Sequence, residues 1–207
     1  KVHGASAIEK MMKVIASLQD LERHWAVMKS YPGFPPGMST INPAVIEGGR
    51  HAAFLADRCA LWITVHFYPD ETHEDIIREV EDHVRRAAAA DPWLRDHPPV
   101  FRWGGRSMIE ERGEIFPSLE LDKEHPALLK LQAAFEKQTG RPAVVNMSPS
   151  VTDAGWFAHA GIPAVIFGPG ELSHAHAVNE SVDPKQLVVF AQTVARFLVD
   201  WCNTKRE

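Results

Sequence analysis

The side chains best suited to chemistry are grouped in one polar segment near the end of the chain, residues 171–182. It contains two imidazoles and a carboxylate, those of His174, His176 and Glu180. A neutral imidazole is a good zinc ligand, and a loop that follows a strand can direct it into a cleft. Glu180 could orient this loop by accepting hydrogen bonds, or could simply favour the helix N-terminus that follows. His174 could support a ligand through a hydrogen bond or face solvent.

Two glycines and a predicted helix N-terminus precede this segment and could contact a substrate. Ile162–Phe167 is a short apolar run typical of a buried strand, and such sheets bind ligands beyond the carboxyl ends of their strands. Gly168 and Gly170, directly after it, would let the backbone approach a substrate closely or would only form a tight turn. Thr152 and Asp153 precede a predicted helix whose free N–H groups could bind a carboxylate, or they only cap that helix.

Three motifs of the chain resemble the C-terminal signature of the M20 metallopeptidases, which include acetylornithine deacetylase and succinyl-diaminopimelate desuccinylase. They are SVTDA at 150–154, GIPAVIFGPG at 161–170 and AHAVNE at 175–180. The resemblance implies that His176 binds one ion of a dinuclear zinc site, in which cobalt could replace zinc. It also implies that the other ligands, in an H-x-D motif, a Glu-Glu pair and further carboxylates, are encoded before residue 1. We therefore expect the sequence to begin within a longer protein.

A histidine at the other end of the chain also matches the M20 pattern. Val2-His3-Gly4, followed by Ala7-Ile8, is similar to the end of the first lid strand and the start of the next helix in that family. The resemblance implies that His3 reaches the partner's active site in a homodimer. There it would stabilise the oxyanion of a tetrahedral intermediate. The alternative is a structural histidine in a loop.

The first half of the chain is predicted to fold as a ferredoxin-like domain. Apolar residues spaced by three and four predict a helix over Ser6–Trp25, and the charged residues avoid that stripe. A second helix should begin after Thr72, whose hydroxyl would cap it with Asp75 three residues on. β-branched and aromatic residues predict three strands, at Met38–Ile46, Ala60–Phe67 and Pro98–Trp103. With a strand end at residues 1–4, the order is βαββαβ, which is also that of the M20 lid, or dimerisation, domain.

The second half is predicted to alternate helices and strands in an α/β layer with parallel strands. Gly140 should end its first helix, and Asp183 with Pro184 should begin its last. The predicted elements are helices at Pro126–Thr139, Asp153–Ala160 and from Pro184, with strands at Ala143–Met147 and Ile162–Phe167. We therefore predict a lid domain over residues 1–112. Residues 113–207 would form the C-terminal segment of a zinc-peptidase α/β catalytic domain.

Three positions depart from the pattern of the well-known M20 deacetylases. Those enzymes usually place an asparagine after the Gly-Gly pair, where this chain has Ala53, and an arginine at the end of the second complete lid strand, where it has His66. Many also carry a carboxylate-binding arginine where this chain has Gly155. His66 could take over a polar contact to the substrate or could face water. The substrate is therefore expected to differ, for example by having no free α-carboxylate at that point.

Composition argues against nucleic-acid and membrane partners. Among 207 residues, 22 Lys and Arg stand against 27 Asp and Glu, which gives a net charge of -5 without any basic run. No apolar segment reaches the length that spans a bilayer, and no secretory apolar region stands at the start. We expect a cytoplasmic protein whose partners are a small substrate and a second copy of itself.

Together with these features, the resemblance implies a zinc-dependent enzyme that hydrolyses the amide bond of an N-acyl amino acid or small peptide. The resemblance implies two zinc ions in each full-length subunit. Residues 1–207 alone are expected to be inactive, because a single ligand cannot hold a catalytic zinc pair. The alternative is a catalytically inactive binding or dimerisation module of the same fold, which the altered positions Ala53, His66 and Gly155 would suit.

Overall fold

A computed structural model describes residues 4–104, 115–148 and 150–203 of the chain. Two units are separated after residue 115, Lys1–Ile115 and Phe116–Glu207. The first unit contains helix α1, strands β1 and β2, and helix α2. Their bounds are Ala7–Met28, Thr40–Gly48, Cys59–His66 and His73–Ala89. The two predicted helices and two of the predicted strands are thus confirmed, with ends that differ by a few residues.

The strands β1 and β2 form an antiparallel ladder in which Thr40 lies opposite His66 and Gly48 lies opposite Cys59. The register shifts between Pro43 and Val45, where a proline has no amide hydrogen to donate to the ladder. Helix α1 packs against both strands and against α2.

The core of the first unit is built from the apolar stripes of its helices and one residue of β1. Its buried side chains are Leu18, Leu21, Trp25, Ile41, Ile76, Val80 and Val84. Burying each such side chain contributes about 1.5–3 kcal/mol. The predicted stripe of α1 is confirmed from Leu18 to Trp25. The prediction also placed Ile8 and Met12 on this stripe, and it is wrong for both, since they are 39% and 64% exposed.

A buried carboxylate holds the turn that follows α2. Asp91 is only 3% exposed, and its Oδ1 accepts hydrogen bonds from Lys10 Nζ at 2.8 Å and from the amides of Trp93 and Leu94 at 2.9 Å. Lys13 also donates to this carboxylate. The bonds from Lys10, Lys13 and the backbone hold the pKa of Asp91 well below its usual range, although its burial opposes them. Asp91 therefore ties the start of α1 to the end of α2.

The strand predicted at Pro98–Trp103 is not formed, since the described residues contain a single sheet of β1 and β2. Pro98 and Pro99 cannot donate backbone hydrogen bonds, which weakens any ladder at this place. Two of its apolar side chains are nevertheless packed, because Phe101 and Trp103 lie against the core, whereas Val100 is 88% exposed. Trp103 Nε1 also donates to Glu81 at 2.7 Å. The predicted strand was therefore wrong, although part of the run packs against the first unit's core.

The second unit contains three α-helices and one 3₁₀ turn among its described residues: α3, Pro126–Thr139; α4, Ala154–His159; the turn, Leu172–His174; and α5, Pro184–Cys202. Gly140 ends α3 in the left-handed conformation at φ 68°. Asp183 caps α5 by accepting a bond from the amide of Lys185 at 2.9 Å. Both predicted helix boundaries are confirmed. None of the helices described is both long enough and apolar enough to cross a membrane.

The predicted strands Ala143–Met147 and Ile162–Phe167 form no ladder among the described residues. A strand needs a neighbour to satisfy its backbone groups, and no described segment pairs with either run. Their side chains are correspondingly open to solvent, with Val144 85% and Ile162 52% exposed. Phe167 is half-buried, because its ring contacts those of Phe135 and Phe190, with centroids 6.1 and 5.5 Å away.

Candidate functional site

The polar segment that was predicted to carry the chemistry lies in a loop before α5, which we name the His176 loop (residues 170–186). Its base is closed by a hydrogen bond from the backbone amide of Gly170 to Oε1 of Gln186, over 2.7 Å. The 3₁₀ turn begins the loop, and backbone-bonded turns continue it as far as Glu180. The loop is therefore a chain of defined turns between a glycine and the first turn of a helix.

His176 has an unusual backbone conformation within this loop. Its φ is 61°, and it is the single non-glycine residue with a positive φ in the parts of the chain that the structure describes. For a residue with a side chain this conformation costs roughly 1–2 kcal/mol, and such strain is frequent at functional sites. The side chain is exposed. Its imidazole is accessible to a ligand or an ion.

Glu180 contacts the backbone of His176 rather than its ring. Oε2 of Glu180 accepts a hydrogen bond from the amide of His176, with the two atoms 3.3 Å apart. This bond spans the left-handed residue and can help to hold the turn in which it lies. The part that Glu180 would play beside a metal ion stays a prediction.

His174, unlike His176, lines a depression of about 310 Å³ at the base of the loop. The other lining residues are Gly170, Glu171, Ser181, Val182, Asp183 and Gln186. His176 is not among them, so the structure does not bring the two imidazoles together in one depression.

The described residues could supply one metal ligand, and they do not supply a complete set. No three His, Cys, Asp or Glu side chains in residues 4–104, 115–148 and 150–203 are placed to hold a metal ion together. A catalytic zinc site ordinarily has three protein ligands. The exposed imidazole of His176 suits the role of one of them. An ion bound through His176 would take its remaining ligands from outside the described residues.

The N-terminus of α4 is largely satisfied by local hydrogen bonds. Oγ1 of Thr152 accepts a bond from the amide of Ala154 at 3.3 Å, and its carbonyl accepts one from the amide of Gly155 at 3.1 Å. Asp153 is the residue before the helix, and its side chain makes no capping bond. Local capping accounts for Thr152, and contact of either residue with a substrate stays a prediction.

Gly168, just before the His176 loop, and Gly170, its first residue, differ in what the fold requires of them. Gly170 has a φ of 109°, which only glycine adopts readily. Gly168 is not in that region, and a Cβ added to it would meet no described atom within 4 Å. Packing in the described residues therefore does not explain the glycine at 168. The space in front of Gly168 is open to a bound molecule.

Gly155 is required by close packing. A Cβ at this position would lie 2.0 Å from the carbonyl oxygen of Pro117. No side chain fits at that distance, so the arginine found here in many M20 enzymes could not be accommodated without moving the backbone. Glycine at position 155 therefore allows α4 to pack closely against the segment before α3.

His66 and His3 are the predicted site residues of the first unit. Nδ1 of His66 lies 3.1 Å from Oγ1 of Thr40, its partner across the ladder. Residues alternate along β2, and Ile63 and Val65 face the core, so His66 lies on the opposite face of the sheet. A substrate contact from His66 stays a prediction. His3 lies outside the described residues.

Gln186 is the residue of the loop that sequence reasoning missed, although a signal for it exists. Asp183 followed by glutamine three residues later is a form of the capping box, in which the glutamine side chain ordinarily returns to the amide of the cap residue. Here Gln186 instead accepts a bond from Gly170, across the base of the His176 loop. A capping-box residue that bonds outside its own helix could not be recognised from spacing alone.

Comparison with known proteins identifies the first unit. Residues 1–92 match the M20 family model described as a peptidase dimerisation domain. Among solved structures, the chain is similar to an M20 family metallo-carboxypeptidase from Sulfolobus solfataricus, with a TM-score of 0.54 at 14% identity. The likeness covers 92% of this chain and 44% of that one. The predicted fold class, a ferredoxin-like lid domain with the C-terminal part of an α/β catalytic domain, is confirmed at this level.

Two of the curated relatives of this chain are deformylases. The chain is 59% identical over 204 residues to the N-formyl-4-amino-5-aminomethyl-2-methylpyrimidine deformylase of Bacillus subtilis, covering 99% of this chain and 48% of that protein. The enzyme of the same name from Halalkalibacterium halodurans is 57% identical over 98% of this chain and 48% of its own length. The acetylornithine deacetylase of Proteus mirabilis is 27% identical, with the same coverage. The chain thus spans about half the length of these curated relatives, and its residues 1–92 form a peptidase dimerisation domain of the M20 family.

Proposed function

We propose that the full-length protein is an amidohydrolase that removes the formyl group from a formylated aminomethylpyrimidine, releasing formate and a primary amine. The observation that carries this proposal is the 59% identity with a deformylase of that name across nearly all of this chain. Identity with the acetylornithine deacetylase is only 27%. The substrate proposed here replaces the N-acyl amino acid or small peptide expected from the sequence.

The packing around Gly155 supports a substrate without a carboxylate. Many M20 enzymes bind the substrate carboxylate with an arginine at this position, and the carbonyl of Pro117 leaves no room for one here. A formylated aminomethylpyrimidine carries an amide and ring nitrogens but no carboxylate. It would therefore need no cationic side chain at position 155.

The residues of this chain would contribute binding and positioning. His176 would supply one ligand to a divalent ion, zinc or cobalt, and Glu180 would hold the turn that presents it. When bound, such an ion polarises an amide carbonyl and lowers the pKa of water. Gly168 would let the formyl group approach the backbone, with Gly170, Thr152, Asp153 and His66 as further candidate contacts.

The homodimer would complete the site. The dimerisation-domain match of residues 1–92 supports association of two copies through the first unit. His3 of the partner subunit would then donate a hydrogen bond to the oxyanion that develops on the formyl oxygen when water adds to the formyl carbon. We place this protein in the cytoplasm, where a small pyrimidine would be its substrate.

The test is a formate assay on the full-length protein after loading with zinc or cobalt. We expect formate release from the formylated aminomethylpyrimidine and at least about a hundredfold lower kcat/KM with N-acetylornithine, because a site built for one set of polar groups rejects a mismatched one. Preferential turnover of N-acetylornithine would contradict the proposed substrate. A stable dimer without turnover of either compound would favour the inactive binding module.

A matched pair of variants tests the role of His176. His176→Ala should lower kcat/KM by more than about a hundredfold, since loss of a ligand exceeds the loss caused by removing a ligand's supporting partner. His174→Ala serves as the control, because His174 lies two residues away and lines a different depression. Equal losses in both variants would contradict the assignment of His176 as the ligand.

A further inference from the structure

Gln186 makes a hydrogen bond that the start of helix α5 does not need. The cap of this helix is provided by Asp183, which accepts a bond from the amide of Lys185 at 2.9 Å. The side chain of Gln186, in the first turn of the helix, takes no part in this capping bond. Its Oε1 accepts a hydrogen bond from the amide of Gly170, 16 residues earlier in the chain, over 2.7 Å. This length lies at the short end of the normal range for an N–H···O hydrogen bond.

The orientation of the Gln186 side chain follows from the chemistry of its partner. A backbone amide can only donate, so the oxygen and not the nitrogen of the glutamine must face Gly170. The partner is also constrained, because Gly170 has a φ of 109° that a residue with a side chain adopts only under strain. The two ends of the His176 loop are therefore joined at one defined point.

Along the chain, the glycine of this hydrogen bond lies between Gly168 and His176, two residues to which the proposed function gives a role. Gly168 is two residues before Gly170, and His176 is six residues after it. The other side-chain bond that spans His176 joins Glu180 to its amide, and lies entirely within the loop. The bond from Gly170 to Gln186 thus connects the loop to helix α5.

We propose that Gln186 is a positioning residue, which fixes the His176 loop on helix α5 through Gly170 and thereby sets the direction of the His176 imidazole. The inference rests on the proposed function, in which His176 is a metal ligand. Residues that orient a metal ligand typically raise the metal affinity by roughly tenfold to a hundredfold. Because Gln186 acts through the backbone, we expect an effect near the lower end of that range.

The test compares three variants of the full-length protein. Gln186→Met keeps the length and shape of the side chain and removes the acceptor, whereas Gln186→Glu keeps an acceptor oxygen. Gln192→Met is the matched control, since Gln192 is an exposed glutamine of the same helix that bonds to Gln138 on α3. Each protein is studied by hydrogen exchange of the peptide that contains Gly170, by zinc affinity in competition with a chelator, and by the visible absorption spectrum after loading with cobalt.

We expect faster exchange at Gly170 in Gln186→Met, zinc binding that is about tenfold weaker, and an altered cobalt spectrum. Gln186→Glu should restore all three properties, and Gln192→Met should match the wild type. Faster exchange with unchanged zinc affinity and spectrum would reduce the bond to a structural one and overturn the proposal. Unchanged exchange would overturn it as well. None of these measurements uses the pyrimidine substrate, so a failure of the proposed reaction would be seen separately in the formate assay.

Discussion

The packing at Gly155 excludes a side chain that could otherwise bind a substrate carboxylate. The contact of its Cα with the carbonyl of Pro117 is so close that a single added carbon would lie 2.0 Å from that oxygen. Close packing therefore requires glycine at position 155, and an arginine does not fit there. A carboxylate-binding group at this place would require a different path of the chain before α3.

This contact predicts the effect of the smallest possible substitution. Gly155→Ala in the full-length protein should lower the free energy of unfolding by about 1–3 kcal/mol, because the backbone must move to admit the methyl group. Gly168→Ala is the control, since a Cβ there meets no described atom within 4 Å. Urea denaturation of both variants measures the difference. Equal stability of the two variants would show that the close approach at Gly155 is absent in solution.

The carboxylate of Asp91 predicts a dependence of stability on pH. Bonds from Lys10, Lys13 and the backbone lower the pKa of Asp91 in the folded protein. A depressed pKa stabilises the fold above the pKa of the unfolded chain, about 3.9, and this stabilisation is lost as the pH falls below that value. Asp91→Asn should therefore be less stable than the wild type at pH 7, and the difference should shrink as the pH falls below about 4.

Denaturation of the wild type and of Asp91→Asn at a series of pH values measures this change. Asp96→Asn is the control, because the side chain of Asp96 is 67% exposed and exposed ion pairs contribute little to stability. Its free energy of unfolding should stay close to that of the wild type at every pH. A difference for Asp91→Asn that does not change between pH 7 and about pH 3 would contradict the ionised state of this carboxylate.

At the scale of elements, the N-terminus of α2 offers a direct test of capping. Oγ1 of Thr72 accepts a bond from the amide of Asp75 at 3.2 Å and donates to the Asp75 carboxylate at 2.7 Å. Thr72→Ala should lower the free energy of unfolding by about 1 kcal/mol, since the amide loses its partner. Thr72→Ser keeps the hydroxyl and should stay near the wild type. If Thr72→Ser is as unstable as Thr72→Ala, the stability depends on the methyl group of Thr72 and not on its capping hydroxyl.

The helices could be predicted from the sequence because their signals are local. Thr72, Asp183 and Gly140 each mark a helix end through the chemistry of one or two side chains, and each stands where it was predicted. Periodic apolar residues then identify the buried face, as for Leu18, Leu21 and Trp25 in α1. These features need no knowledge of the rest of the fold.

The strands were harder to predict because a strand exists only with a neighbour. Thr40–Gly48 and Cys59–His66 follow each other in the chain and pair. Pro98–Trp103 and Ile162–Phe167 have the composition of strands, but neither run pairs in a ladder with another described segment. Composition predicts which residues favour an extended backbone, and it does not contain the partner that would turn that backbone into a ladder.

The same distinction applies to the candidate site. Motif spacing selects His176 and Glu180 as candidate site residues, and their roles stay predictions. The left-handed backbone of His176 and the bond from Gly170 to Gln186 could not be predicted, because both depend on how the loop closes on α5. The depression lined by His174 likewise arises only once the loop has folded.

At the scale of the whole molecule, the proposed dimer would bring together residues from opposite ends of the chain. His176 would bind a metal ion in one subunit, and His3 of the partner subunit would stabilise the oxyanion at that same site. Two full-length variants, His3→Ala and His176→Ala, should each lack most of the deformylase activity. A mixed dimer would contain one site with an intact His176 and an intact His3 from the other subunit.

Mixing the two inactive variants therefore tests whether His3 acts across the dimer. After unfolding and refolding together in equal amounts, half of the dimers should be mixed and half of their sites intact, so about a quarter of the wild-type activity should return. Mixing without subunit exchange should restore none, which is the control. If His3 acts within its own subunit, every site in the refolded mixture still lacks one of the two imidazoles, and formate release should stay at the level of the separate variants.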